Sequence, residues 1–106
     1  MKPMALTLHG IQAPQGDLEN FCERNRVRKL SLFGSILTEQ FRPDSDVDVL
    51  VEFERDAPIT YLDIARMERE LSELFGRKVD VRTPEELSRY FRERVLAQAV
   101  LQYERK

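Results

Sequence analysis

Asp46-Val47-Asp48-Val49-Leu50-Val51-Glu52-Phe53-Glu54 is the stretch that decides the fold class. Val47, Val49, Val51 and Phe53 recur with the period of two that lines one face of a strand, and Asp46, Asp48, Leu50 and Glu52 fall on the other. One face is therefore core, while the opposite face opens with two carboxylates. Upstream, Val27 to Phe33 predicts a second strand, ended by Gly34-Ser35. Downstream, Lys78 to Arg82 predicts a third, with Val79 and Val81 on one face and Lys78, Asp80 and Arg82 on the other.

Around these strands the period changes to helical. Leu62, Ile64, Met67, Leu71, Leu74 and Phe75 make an apolar stripe over residues 60–75. Thr60 and Asp63 resemble a capping box at its start, and Gly76 is a natural C-cap. Asp17 predicts the cap of an earlier helix running to about Asn25, with Leu18, Phe21 and Cys22 on one face. Thr83-Pro84-Glu85-Glu86 predicts a helix start, leading into a last helix over Ser88 to Tyr103 with Phe91, Val95, Leu96, Ala99, Val100 and Tyr103 buried. Residues 38–45 read as a connecting loop, with a short helical turn at Ser35 to Thr38. Residues 1–16 read as an N-terminal arm with a weak alternation at Ala5 to Leu8, and residues 17–106 as one domain. The predicted fold is α/β (α+β): a small mixed sheet flanked by helices, in the order helix, strand, strand, helix, strand, helix.

Composition narrows the function. The 106 residues carry 17 Lys+Arg against 19 Asp+Glu, a formal charge of -2, which excludes a protein that binds nucleic acid through bulk positive charge. Hydrophobic residues at 42% recur at regular spacing, which argues against disorder. Apolar runs such as Val49 to Val51 are far too short to span a bilayer, and no apolar signal segment follows Lys2. A single cysteine, Cys22, excludes an internal disulfide, and a single histidine, His9, argues against zinc sites of the usual kinds and a Ser-His-Asp triad. The expected setting is a reducing cytoplasm, with no membrane and no direct nucleic-acid binding.

Three features fall near strand ends: Gly34-Ser35, Asp46-Val47-Asp48, and Asp80. Carboxylates at i and i+2 of a strand share a face and repel unless neutralised, and Mg²⁺ neutralises such pairs together with substrate phosphates. A third carboxylate on a neighbouring strand would let two metals sit side by side and clamp a phosphoryl group in transfer. Gly34 allows close backbone approach, and Ser35 can hydrogen-bond a phosphate oxygen. A calcium loop beginning at Asp44 fails, because its sixth position is Val49 and its twelfth Arg55. No Gly-Lys-Ser/Thr phosphate loop is present. The combination reads as nucleotidyl transfer.

Leu32-Phe33-Gly34-Ser35, ten intervening residues, then Asp46-Val47-Asp48 and Val49-Leu50-Val51 resemble the minimal nucleotidyltransferase (MNT) signature of the DNA polymerase beta-like superfamily. The likeness extends through Arg42-Pro43-Asp44-Ser45, Ala65-Arg66-Met67-Glu68 and Thr83-Pro84-Glu85-Glu86-Leu87, from about residue 17 onward. It implies a polymerase beta-like fold and Mg²⁺-dependent transfer of a nucleoside monophosphate, with two ions and ATP as substrate. By position, Asp46, Asp48 and Asp80 would be the catalytic and metal-binding residues, and Asp80 would assist the acceptor hydroxyl. Gly34, Ser35 and Arg42 would bind the nucleotide, although Arg42 reads equally as a solvated loop residue. Ile36, Leu37, Thr38 and Glu39 depart from the small and basic residues that many relatives carry after Gly-Ser. Small members of the family resemble antitoxins paired with a HEPN-domain toxin, usually an RNase, whose tyrosine receives AMP. At this length a separate acceptor domain is not expected, so the partner would be the acceptor. Two other readings stay open: an antitoxin acting by stoichiometric binding alone, and a transferase for a small molecule or RNA completed by a second subunit.

Further patches carry less. Arg24, Arg26, Arg28 and Lys29 read as a solvated surface, and Arg89, Arg92 and Arg94 as a possible contact for an acidic partner. Cys22 is expected to pack as a small hydrophobe, and His9 has no assigned role. Tyr61, Tyr90 and Tyr103 are expected at buried edges with bonded hydroxyls.

Overall fold

The computed structural model of the chain describes residues 9–105; the alternation at Ala5 to Leu8 lies outside them. The elements are α1 (Gln15–Arg24), β1 (Val27–Phe33), a 3-10 turn (Gly34–Leu37), β2 (Val47–Phe53), α2 (Tyr61–Phe75), β3 (Val79–Arg82), a second 3-10 turn (Pro84–Glu86), α3 (Arg89–Gln98) and β4 (Val100–Glu104). The four strands form one sheet in the order β3-β2-β1-β4. β1 runs antiparallel to β2 and β4, while β2 and β3 are parallel. The parallel pair is joined through α2, as a crossover connection requires.

The alternation of β2 is realised: Val47, Val49 and Val51 are fully buried. They share a core with Leu30 and Leu32 of β1, Val79 and Val81 of β3, Leu18, Phe21 and Cys22 of α1, and Met67, Leu71 and Phe75 of α2. Both α1 and α2 therefore cover one face of the sheet. Thr60 and Asp63 form the reciprocal capping box of α2, and Gly76 ends the helix in the left-handed region at φ 71°. α2 also guards the open edge of β3. Its Ser72 Oγ accepts from Val79 N at 2.9 Å and its Glu68 carboxylate from Val81 N at 2.8 Å, so donors that an edge strand would expose are satisfied. Burial, with Glu19 and Glu23 adding to it, pushes the Cys22 thiol up to about 12, which keeps it protonated and inert.

Several expectations need correction. The last helix does not reach Tyr103: α3 ends at Gln98, Ala99 turns to an extended backbone at ψ 141°, and Val100–Glu104 becomes β4. The free edge of β1 offers these residues a ladder of hydrogen bonds, and Tyr103 still reaches the core from a strand instead of a helix. α3 itself buries none of its residues, and Phe91 is 56% exposed. α1 is capped at Pro14, so Asp17 lies in the first turn, where its charge offsets the helix dipole. Thr83–Glu86 does form a capped start, but it is a separate 3-10 turn and not the first turn of α3. Tyr61 and Tyr90 are almost fully exposed, and Tyr103 alone is half-buried. Arg92 is turned inward onto the Pro84 and Leu87 carbonyls at 2.8 and 3.0 Å, so it holds the second 3-10 turn to α3.

Candidate active site

The sheet register brings two predicted site residues, Asp48 and Asp80, side by side. Phe33, the last residue of β1, pairs with Asp48 of β2, and Asp48 pairs with Asp80 of β3. Because residues paired in register point the same way and β2 alternates, Asp48 and Asp80 share the face opposite α1 and α2. Asp46 lies two residues before Asp48, and its charge acts on the Asp48 carboxyl.

Gly34 closes the row from the other side. Its φ is +81°, a conformation that side chains rarely adopt, and a Cβ there would stand 2.3 Å from Asp48 Oδ2. Glycine is thus required twice over, by backbone and by space. The 3-10 turn that follows is anchored by Ile36, which is fully buried in the core. The apolar departure from the family pattern therefore has a packing role. The Ser35 carbonyl accepts from Thr38 N at 2.9 Å and Thr38 Oγ1 at 2.8 Å, which fixes the turn.

Burial raises the Asp48 carboxyl above its ordinary value, and Asp80 and then Asp46 push it further, against the opposing effect of Arg82. Arg82 Nη2 lies 3.0 Å from Asp80 Oδ2, and Lys78 Nζ lies 4.0 Å from Asp46 Oδ2. Lys78 just before β3, with Asp80 and Arg82 within it, thus gives cation, carboxylate, cation at alternate positions. Among the described residues no three His, Cys, Asp or Glu side chains converge as a ready-made metal cage. Each outer carboxylate instead faces a basic side chain. The donor chemistry nevertheless fits a hard divalent cation: oxygen ligands only, on adjacent register positions, with a central carboxylate destabilised by its neighbours.

Arg42 is not drawn to the carboxylates through any side-chain contact. Its side chain is exposed, its N–H donates to Ser45 Oγ at 2.9 Å, and its carbonyl accepts from Arg77 at 2.8 Å. Sequence reasoning missed what holds this loop. Arg77 also donates to the Ser45 carbonyl at 2.8 Å and lies over the Phe41 ring at 4.7 Å. His9 Nε2 donates to the Thr38 carbonyl at 2.8 Å, and its ring meets that of Phe41 with centroids 4.9 Å apart. The connection between Gly34-Ser35 and Asp46 is therefore clamped at Thr38, Phe41, Arg42 and Ser45. Nothing in the local spacing signals these partners; only Phe41, an apolar residue in a polar loop, could have hinted at an anchor.

Known proteins share this domain and fold. A nucleotidyltransferase domain model matches residues 18–102. A protein of Methanocaldococcus jannaschii, assigned provisionally as a protein adenylyltransferase, is 35% identical over 77 residues, which cover 73% of this chain and 81% of that protein. The protein adenylyltransferase MntA of Thermococcus cleftensis is 39% identical over 59 residues, spanning 56% of this chain and 58% of its own length. A solved structure, provisionally described as a minimal nucleotidyltransferase, superposes with a TM-score of 0.66 at 35% identity, covering 81% of this chain and 86% of that one. The fold is also shared with a chain of the complex between a tri-AMPylated HEPN toxin of Shewanella oneidensis and its MNT antitoxin. There the TM-score is 0.60 at 15% identity, over 86% of this chain and 70% of that chain.

Proposed function

Since this chain belongs to the nucleotidyltransferase domain family, within its minimal nucleotidyltransferase branch, we propose that it transfers AMP from ATP to a tyrosine hydroxyl of a HEPN-domain RNase toxin and so neutralises it. The observation that carries the reading is the row Gly34, Asp48, Asp80, in which the Asp48 carboxylate is packed against a glycine that leaves room for nothing larger and Asp80 lies beside it in register. The relatives that are protein adenylyltransferases support AMP as the transferred group, and the complex with an AMPylated HEPN toxin supports the class of partner.

In the proposed reaction the acceptor oxygen forms a bond to the α-phosphorus of ATP, the bond from that phosphorus to the bridging oxygen breaks, and pyrophosphate leaves. Asp46, Asp48 and Asp80 would hold two Mg²⁺ ions, which supply Lewis-acid polarisation of the α-phosphoryl group and charge neutralisation when bound. Asp80, on the outer of the two strands, takes up the proton that the acceptor hydroxyl gives up. The Gly34 turn presents its backbone to the triphosphate, with Ser35 as a hydroxyl donor. Arg82 and Lys78 are the basic side chains already placed among the carboxylates, and they are better situated than Arg42 to meet phosphate charge.

The test is intact-mass analysis of the HEPN protein after incubation with this chain, ATP and Mg²⁺. A gain of one or more AMP units is the expected result, localised by fragmentation to tyrosine. Tight complex formation with no mass gain would instead establish neutralisation by binding alone.

A further inference from the structure

A cleft of about 760 Å³ opens immediately beside Gly34, on the side away from Asp80. Phe33, Gly34, Leu37 and Thr38 form one wall, and Val95 and Gln98 from the end of α3 form the other. Gly34 lines this cleft and also packs against Asp48, so the cleft adjoins the carboxylate row at that residue. The volume lies within the range of small-molecule sites, and apolar walls with few polar groups are the usual lining of such sites. Phosphates are unsuited to these walls. A flat aromatic ring is not, and Phe33, Leu37 and Val95 can contact its faces.

We propose that this cleft seats the nucleobase of the nucleoside triphosphate and that the Gln98 amide reads the base's edge. The inference rests on the nucleotidyltransferase reading above, and it adds the part of the nucleotide that the carboxylates do not touch. A glutamine amide offers one donor and one acceptor side by side, which match the N7 acceptor and N6 donor of adenine's Hoogsteen edge. Guanine presents two acceptors on the corresponding edge and leaves the amide carbonyl opposed. α3 and β4 thereby acquire a purpose that their weak packing does not explain: α3 buries no residue of its own, yet its last turn closes one side of the slot.

Val95→Trp fills the cleft from a half-buried helix position, and Gln98→Leu removes the amide from an exposed one, so the fold should tolerate both. Calorimetry with Mg²⁺ would compare non-hydrolysable ATP, non-hydrolysable GTP and inorganic tripolyphosphate as ligands. Val95→Trp should weaken the ATP analogue about tenfold or more while tripolyphosphate binding stays at the wild-type value. Gln98→Leu should reduce the preference for the ATP analogue over the GTP analogue by about five- to tenfold. If Val95→Trp bound the ATP analogue as tightly as wild type, the base would lie elsewhere, although the nucleotide site itself would stand. Equal losses of the analogue and of tripolyphosphate would likewise overturn the slot. Wild-type chain that bound neither ligand would overturn the nucleotidyltransferase reading along with it.

Discussion

Gly34 and Asp48 are in such close contact that a single added methyl group would collide with the carboxylate: a Cβ on Gly34 would lie 2.3 Å from Asp48 Oδ2. The end of β1 and the start of β2 are locked together at this point by the Phe33–Asp48 register. Gly34→Ala must therefore displace the carboxylate and also adopt a positive φ, which costs an L-residue about 1–2 kcal/mol. The expected outcome is a protein that still folds but transfers AMP about a hundredfold more slowly, as misplacement by about 1 Å does in positioned sites. Circular dichroism and single-turnover mass measurements on the variant check the two parts separately.

Asp48→Asn separates stability from chemistry. The carboxylate is partly buried and faces Asp80 and Asp46, so its removal relieves repulsion and should raise the melting temperature of the metal-free protein. Transfer should fall at least about a hundredfold, equivalent to roughly 2.7 kcal/mol of transition-state stabilisation. Mg²⁺ should raise the melting temperature of the wild type and leave that of the variant nearly unchanged, because only a folded state that binds the ion gains from it. Thermal denaturation with and without Mg²⁺ is the measurement. A variant that retained full transfer would remove Asp48 from the site.

Arg82 competes with any cation for Asp80, since its guanidinium already lies 3.0 Å from that carboxylate. Arg82→Ala should tighten Mn²⁺ binding to the nucleotide-free protein about two- to fivefold, the scale of a partly exposed ion pair. Arg82→Lys, which keeps the charge, should restore most of the wild-type value. Electron paramagnetic resonance of free Mn²⁺ reads both, and weaker binding by the alanine variant would show that Arg82 assists the metal site and does not oppose it.

The capping box at the start of α2 makes a pH-dependent contribution. The Thr60 N–H, and then its hydroxyl, hold the Asp63 carboxyl below its ordinary value. A carboxylate with a depressed folded pKa contributes stability that is fully present above the unfolded value of about 3.9 and is lost as pH falls through the folded one. Asp63→Ala should therefore lower the melting temperature at pH 7, and the two melting temperatures should converge as pH falls below the ordinary carboxylate range and through the depressed folded value. A pH series of thermal melts on both proteins provides the check.

The period of β2, the apolar stripe and caps of α2, and the spacing of Gly34-Ser35 from Asp46-Val47-Asp48 were legible from the sequence alone, because each depends on residues near one another in the chain. Alternation alone suffices to put Val47, Val49 and Val51 on one face and Asp48 on the other. The end of the chain was not legible in this way. Phe91, Val95 and Tyr103 satisfy a helical period over Ser88 to Tyr103, yet Val100–Glu104 pairs with β1 because that edge carries unpaired backbone groups, which no local pattern can show. The same limit applies to the site. Its carboxylates can be named from their spacing, but the register between β2 and β3 sets Asp48 beside Asp80, and Arg82 and Lys78 join them only because β3 lies where it does. Local sequence determined which groups exist and which face each occupies. Tertiary structure decided which of them meet across the sheet, because the contacts that join Gly34 to Asp48, Asp48 to Asp80 and Asp46 to Lys78 form only when strands distant in sequence pair.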